Sequence, residues 1–174
     1  MDINPVFDPN MKHVISFDTA KSLDAEKLGK FLKPENALPL SEIKFKDLAI
    51  YPGIGIYIIY DLSDKPCYIG KCTSRSFIER VPSHFDCRKH AYLATILRRL
   101  VSLDHNRDDI SEITLRAIDS FKILLVNFTY DGLLRENGNI SEEDVKPKTK
   151  DEAKAVGKLE RELINYLKPK LNSY

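Results

Sequence analysis

Five side chains have types and spacings that could act together: Tyr57, Tyr68, Arg80, His84 and Glu160. Between them they offer two phenols and an imidazole for moving protons, a guanidinium for holding an anion and a carboxylate for holding a cation. Arg80 and His84 are four residues apart, one helical turn, so both would stand on one side of a helix. Glu160 falls inside an apolar helical stripe of Val156, Leu159, Leu163, Ile164 and Leu167, whereas Glu162 falls outside it. A carboxylate in such a stripe is costly unless it is paired or binds a metal. Each signal also has an ordinary reading. Glu160 could reach water or pair with Arg161 or Lys158, Arg80 and His84 could form a solvated helix edge, and the tyrosines could simply pack across a hairpin.

The elements that must position these groups can be read from pattern. Residues 55–60 are a β-branched and aromatic run, 61–66 carry turn chemistry, and 67–70 are a second run; together they read as an antiparallel hairpin opened by Pro52 and Gly53. Arg80 and His84 belong to a short helix over 74–85, with Phe77, Ile78, Val81 and Phe85 on one face. Pro82 has no amide hydrogen for the helix ladder and should kink or break it. A helix is expected over 88–103, strands over 113–118 and 122–128, a polar irregular stretch over 131–150, and a last helix over 151–167 that stops before Pro169. Upstream, 13–18 reads as a strand and 19–33 as an amphipathic helix, broken by the prolines of 34–40. The chain divides into an N-terminal extension, 1–50, and a domain, 51–174, with an insertion at 131–150.

Composition sets bounds. Lys and Arg total 27 against 26 Asp and Glu, a formal charge of +1, which excludes a polybasic arm or an acidic tail. The charge is nonetheless uneven: Lys71, Arg75, Arg80, Arg88, Lys89, His90, Arg98 and Arg99 fall within thirty residues, opposed only by Glu79 and Asp86. No run approaches the roughly eighteen apolar residues that span a bilayer, so no membrane partner is expected. The opening residues are acidic with two prolines, unlike a signal peptide, so an intracellular location is expected, cytoplasmic in a bacterium or phage. Three cysteines, Cys67, Cys72 and Cys87, without a C-x-x-C pair suit a reducing compartment. Cys72, His84, Cys87 and His90 match no standard zinc spacing.

Taken together, these signals fall into a pattern. Gly55-Ile56-Tyr57 and Tyr68-Ile69-Gly70, then Arg80 with His84 and Phe85, then Glu160 with Ile164, Pro169 and Asn172 resemble, in order and spacing, the motifs of the GIY-YIG nucleases. The resemblance covers 52–172 and leaves out the first fifty residues. Pro82 so near the arginine and the long 131–150 insertion depart from the minimal pattern, and no appended zinc finger, helix-turn-helix or RING-like module is present.

The resemblance implies an α+β fold, a small antiparallel β-sheet flanked by helices, here with an N-terminal extension. It implies hydrolysis of a DNA phosphodiester with one Mg²⁺ or Mn²⁺ per active site, held by Glu160. Tyr57 would take the water's proton, its phenol depressed by Lys71 or Arg80. Tyr68 would bond the water or phosphate, Arg80 would hold the scissile phosphate through its planar fork, and His84 would relay a proton or bind a neighbouring phosphate. Arg75 competes with Arg80 for the arginine position but points away from the apolar face. Gly55, Gly70 and Asn172 would be structural at the site, and Lys71, Arg75, Arg88 and Lys89 would contact DNA. The absence of an appended reading module favours a restriction enzyme, using 1–50 and 131–150 to read bases, with a homodimer if both strands of a palindrome are cut. A structure-specific repair or recombination nuclease, an inactive DNA-binding module of the same fold, and a zinc-stabilised structural domain are the alternatives.

Overall fold

The computed structural model describes residues 6–8, 12–16, 22, 24–44, 54–88, 91, 94–103, 109–129 and 150–172. In chain order they form β1 (Val6–Asp8), β2 (Lys12–Ser16), α1 (Ala25–Phe31), β3 (Leu38–Pro39), β4 (Ile54–Tyr60), β5 (Pro66–Cys72), α2 (Phe77–Ser83), α3 (Thr95–Leu103), α4 (Ile110–Ser120), β6 (Lys122–Thr129) and α5 (Lys150–Leu167). The fold is α+β. β5, β4, β6 and β3 form an antiparallel ladder, with β5 at one edge.

The hairpin of β4 and β5 is closed by Asp61. Its carboxylate accepts from the amides of Ser63 (2.9 Å) and Lys65 (3.0 Å), and Asp64 takes the left-handed backbone conformation, φ 59°, that the turn requires. β-Branched and aromatic residues then alternate across the sheet. Ile56, Ile58, Tyr60, Ile69, Leu124, Val126 and Phe128 face α1 and α5, against Leu28, Val156, Leu159 and Leu163. Tyr57, Ile59, Tyr68, Ile123 and Leu125 face the opposite way, against Phe77 and Val81 of α2, Ile96 of α3 and Ala117 of α4. Each fully buried aliphatic or aromatic side chain contributes about 1.5–3 kcal/mol, so the two-sided packing fixes the hairpin's register. A slip of one residue would exchange the two faces.

Three departures from the sequence reading stand out. The sheet is not purely antiparallel: β2, in the N-terminal extension, runs parallel to β6, pairing Lys12–Ser16 with Leu125–Thr129. β3 covers Lys122 and Ile123 of the same edge, so β6 had an open edge that the distant extension completes. Parallel pairing leaves no local signal, because its partners are joined by a long crossover. Residues 113–118 are helical, not a strand. Ile113, Leu115 and Ala117 alternate as a strand would, yet Ile113 and Ala117 are also one helical turn apart; these two are buried and Leu115 is exposed. The helix expected from residue 88 begins only at Thr95, although 89–90 and 92–93 lie outside the described residues. The 131–150 insertion lies outside them too, except Lys150, which opens α5.

Candidate active site

Ser76 starts α2 with a capping box. Its amide donates to the Glu79 carboxylate at 3.0 Å, and its side chain caps the first turn. Pro82 then withholds an amide hydrogen, and the helix ends one residue later. The last turn tightens, with His84 N–H donating to Val81 C=O at 3.2 Å and Phe85 N–H to Pro82 C=O at 3.0 Å. The break expected at Pro82 therefore sets His84 at the end of the helix, turned under the sheet. Its ring centroid lies 5.6 Å from that of Tyr57 and 4.9 Å from that of Tyr68.

The Tyr57 hydroxyl and His84 Nε2 are directly hydrogen-bonded, and both side chains are wholly buried. Tyr57 lies across Gly70, its partner on β5; any Cβ there would overlap the phenol, so glycine is a steric requirement. A Cβ on Gly55 would likewise run into the carbonyl of Val126. Tyr68 is diagonal to Tyr57, with ring centroids 6.1 Å apart, and is the phenol that reaches the cleft.

Burial governs protonation here. It pushes the Tyr57 phenol well above its ordinary range, with Tyr68 adding to the rise and Arg80 opposing it. The depressed phenol expected from the sequence is therefore overturned: desolvation outweighs the cation. Burial also raises Tyr68, against the pull of Arg80 and a hydrogen bond with Tyr57. His84 is pushed down to about 3, first by burial and then by the Arg80 charge, so it is a neutral imidazole at pH 7. Wholly buried and bonded to Tyr57, it is in no position to contact a neighbouring phosphate.

α5 packs on the other face of the sheet, and its carboxylate reaches the cleft round the β5 edge. Lys71 alternates to that face and meets Glu160 at 2.6 Å. Neither Arg161 nor Lys158 takes Glu160; Lys158 pairs with Glu162 at 3.6 Å. Lys71 crosses α5 over Gly157, where an added Cβ would stand 3.3 Å from Nζ. After α5 the chain turns back along β5. Leu171 N–H donates to Cys67 C=O at 2.8 Å, and the Asn172 amide accepts from Ile69 N–H at 2.6 Å and donates to Ile69 C=O at 2.8 Å. Asn172 thus stands in for a neighbouring strand and covers the edge.

The resulting cleft, of about 810 Å³, is lined by Tyr68, Lys71, Arg80, Glu160, Asn172 and, unforeseen from sequence, Arg161, Asn165 and Lys168. Other expected contacts are not part of it. Arg75 is exposed, Arg88 is held by Asp86 at 2.5 Å, and Lys89 lies outside the described residues. No cluster of three or more His, Cys, Asp or Glu among the described residues could hold a metal. Cys72 is buried with its thiol pushed up to about 12, His84 is committed to Tyr57, and Cys87 is exposed. A single carboxylate facing an open cleft does suit a hydrated Mg²⁺, which takes few protein ligands and completes its shell with water and phosphate. No helix among the described residues is long and apolar enough to cross a membrane. Comparison with protein-family models, curated proteins and solved structures gave no match.

Proposed function

We propose that the chain is a divalent-metal-dependent DNA endonuclease of the GIY-YIG type, with restriction as its role. One observation carries the reading. Tyr68 from β5, Arg80 from α2 and Glu160 from α5 line one cleft, in which described cations outnumber anions four to one, in a chain that is nearly neutral overall. Such a surface suits a polyanion, and those three groups match the needs of phosphodiester hydrolysis.

Arg80 holds the scissile phosphate through paired N–H donors and opposes the charge of the pentacovalent transition state. Tyr68, at the cleft wall beside Arg80, hydrogen-bonds and orients the attacking water, whose proton leaves to a phosphate oxygen or to bulk solvent. Tyr57 and His84 stand behind it. The buried hydrogen bond between Tyr57 and a neutral His84 fixes both rings, so the pair orients Tyr68. Mg²⁺ or Mn²⁺, one per site, would be held by Glu160 and would neutralise charge on the phosphate and the leaving oxygen.

The test is cleavage with Mg²⁺ of unmodified plasmid beside flap, fork and junction DNA. Discrete plasmid fragments are expected; cutting of branched DNA alone would replace restriction with repair, and no cleavage would leave a binding module. Glu160→Ala should abolish cleavage while unfolding stability changes by less than about 1 kcal/mol, because Lys71 can turn to water. Glu162→Ala, the neighbouring control, should cleave normally.

A further inference from the structure

Four exposed cations on α5 and just past its end are of two kinds. Lys154 and Lys158 are neutralised along the helix, by Asp151 at 3.2 Å and Glu162 at 3.6 Å. Arg161 and Lys168 line the cleft, and neither side chain has an acidic partner among the described residues. Glu160, the carboxylate beside Arg161, is taken by Lys71. Asn165 lies between the two cations, four residues after Arg161, and also lines the cleft. Lys168 has a left-handed backbone, φ 48°, at the helix end where glycine is usual. A charge there also complements the helix dipole, which by itself would account for a lysine but not for the open arginine nearly two turns earlier.

We infer that Arg161, Asn165 and Lys168 form a second phosphate subsite, which holds the DNA backbone next to the phosphate that Arg80 holds. This rests on the nuclease reading above and extends it. Arg80 and Tyr68 come from the sheet face under α2, whereas this row comes from the helix on the opposite face, so the two walls of the cleft would grip one strand from either side. The row touches backbone oxygens only, so it contributes affinity without sequence preference. It binds ground and transition states alike, so its loss should appear in binding and not in the chemical step.

The test is binding of a fluorescein-labelled DNA duplex by the full chain across a salt series, without divalent ions. Arg161→Gln and Lys168→Gln should each weaken binding by about three- to tenfold and lower the slope of log K against log salt by about 0.9, and the double variant should lower it by nearly twice that. Lys154→Gln, whose charge is already neutralised, should bind as the wild type does. Single-turnover cleavage at saturating DNA should stay within about threefold in the double variant. Unchanged affinity and slope in the double variant, with Arg80→Gln still weakened, would overturn the subsite and leave the nuclease reading standing. Weaker binding with an unchanged slope would also overturn it, since lost packing and not phosphate contact would be the cause. A wild-type chain that binds no duplex at all would overturn both.

Discussion

The two walls of the cleft solve different problems. The wall under α2 is aromatic and dry: Tyr57 and His84 are wholly buried, and Tyr68 shows only its edge. The wall from α5 is charged and wet, with the Lys71–Glu160 pair at 35% and 15% side-chain exposure and Arg161 and Lys168 open to solvent. They meet because β5 is an edge strand, so side chains from both faces can reach round it. Proton affinity is set on the first wall, where desolvation moves it far. Charge is presented on the second, where it can exchange partners with an incoming ion or phosphate.

The sharpest way to break this division is to delete one oxygen at a time from the dry wall. Tyr68→Phe removes the hydroxyl that faces the cleft and should lower single-turnover cleavage by about a hundredfold or more, with DNA affinity nearly unchanged. Tyr57→Phe removes the one behind it. The ring still lies over Gly70, but His84 loses its partner, so a smaller loss of about tenfold is expected, through misorientation of Tyr68. Because burial raises the Tyr57 phenol, Tyr57→Phe should leave the pH profile of cleavage with its wild-type shape. A larger loss from Tyr57→Phe than from Tyr68→Phe would make Tyr57, and not Tyr68, the hydroxyl that handles the water.

How much of this was legible in the sequence differs between the walls. The dry wall lies within thirty residues and is built from local patterns: a hairpin with turn chemistry, a capped helix and a proline that ends it. The hairpin pattern puts Tyr57 beside Tyr68, whereas His84 joins them only through the resemblance to the GIY-YIG motifs, and the helix cap is seen only in the structure. The local patterns did not reveal burial, which depends on α3 and α4, one of which was read as a strand. The wet wall depends on contacts between distant residues. Glu160 was visible as a carboxylate in an apolar stripe, but its partner, 89 residues away, was not. Arg161, Asn165 and Lys168 gave no signal, because helix spacing cannot say which polar face looks into a cleft and which into bulk water.

His84 tests the dry wall by another route, its protonation. Its pKa is about 3 in the folded chain, below the ordinary value near 6.5, so between those pH values the unfolded chain binds more protons. Stability should therefore be full above pH 6.5 and fall as the pH drops toward 3, by about 2 kcal/mol between pH 7 and pH 5 from this residue alone. His84→Gln keeps a hydrogen-bonding group near Tyr57 and cannot titrate. Unfolding free energies from urea titrations at pH 7 and pH 5 should differ less in this variant than in the wild type by that amount. Equal losses in both proteins would mean that His84 is already hydrated in the folded chain.

The mildest change probes the wet wall. A glycine inside a helix costs about 1 kcal/mol relative to alanine, and Gly157 sits mid-helix in α5, buried beneath the Lys71 ammonium. Gly157→Ala should recover part of that, raising stability by about 0.5 kcal/mol, because the added methyl meets Nζ at 3.3 Å and only the far end of a flexible side chain must yield. Yielding moves the ammonium away from its 2.6 Å contact with Glu160. If lysine and a divalent ion compete for that carboxylate, loosening the lysine should favour the ion. Mn²⁺ affinity, read by electron paramagnetic resonance, should rise by about two- to threefold, the equivalent of a few tenths of a kcal/mol. Lys71→Met, which removes the competitor outright, should raise it further. Unchanged Mn²⁺ affinity in both variants would show that Lys71 and the ion occupy the carboxylate together, and the wet wall would then hold its charges in a fixed array.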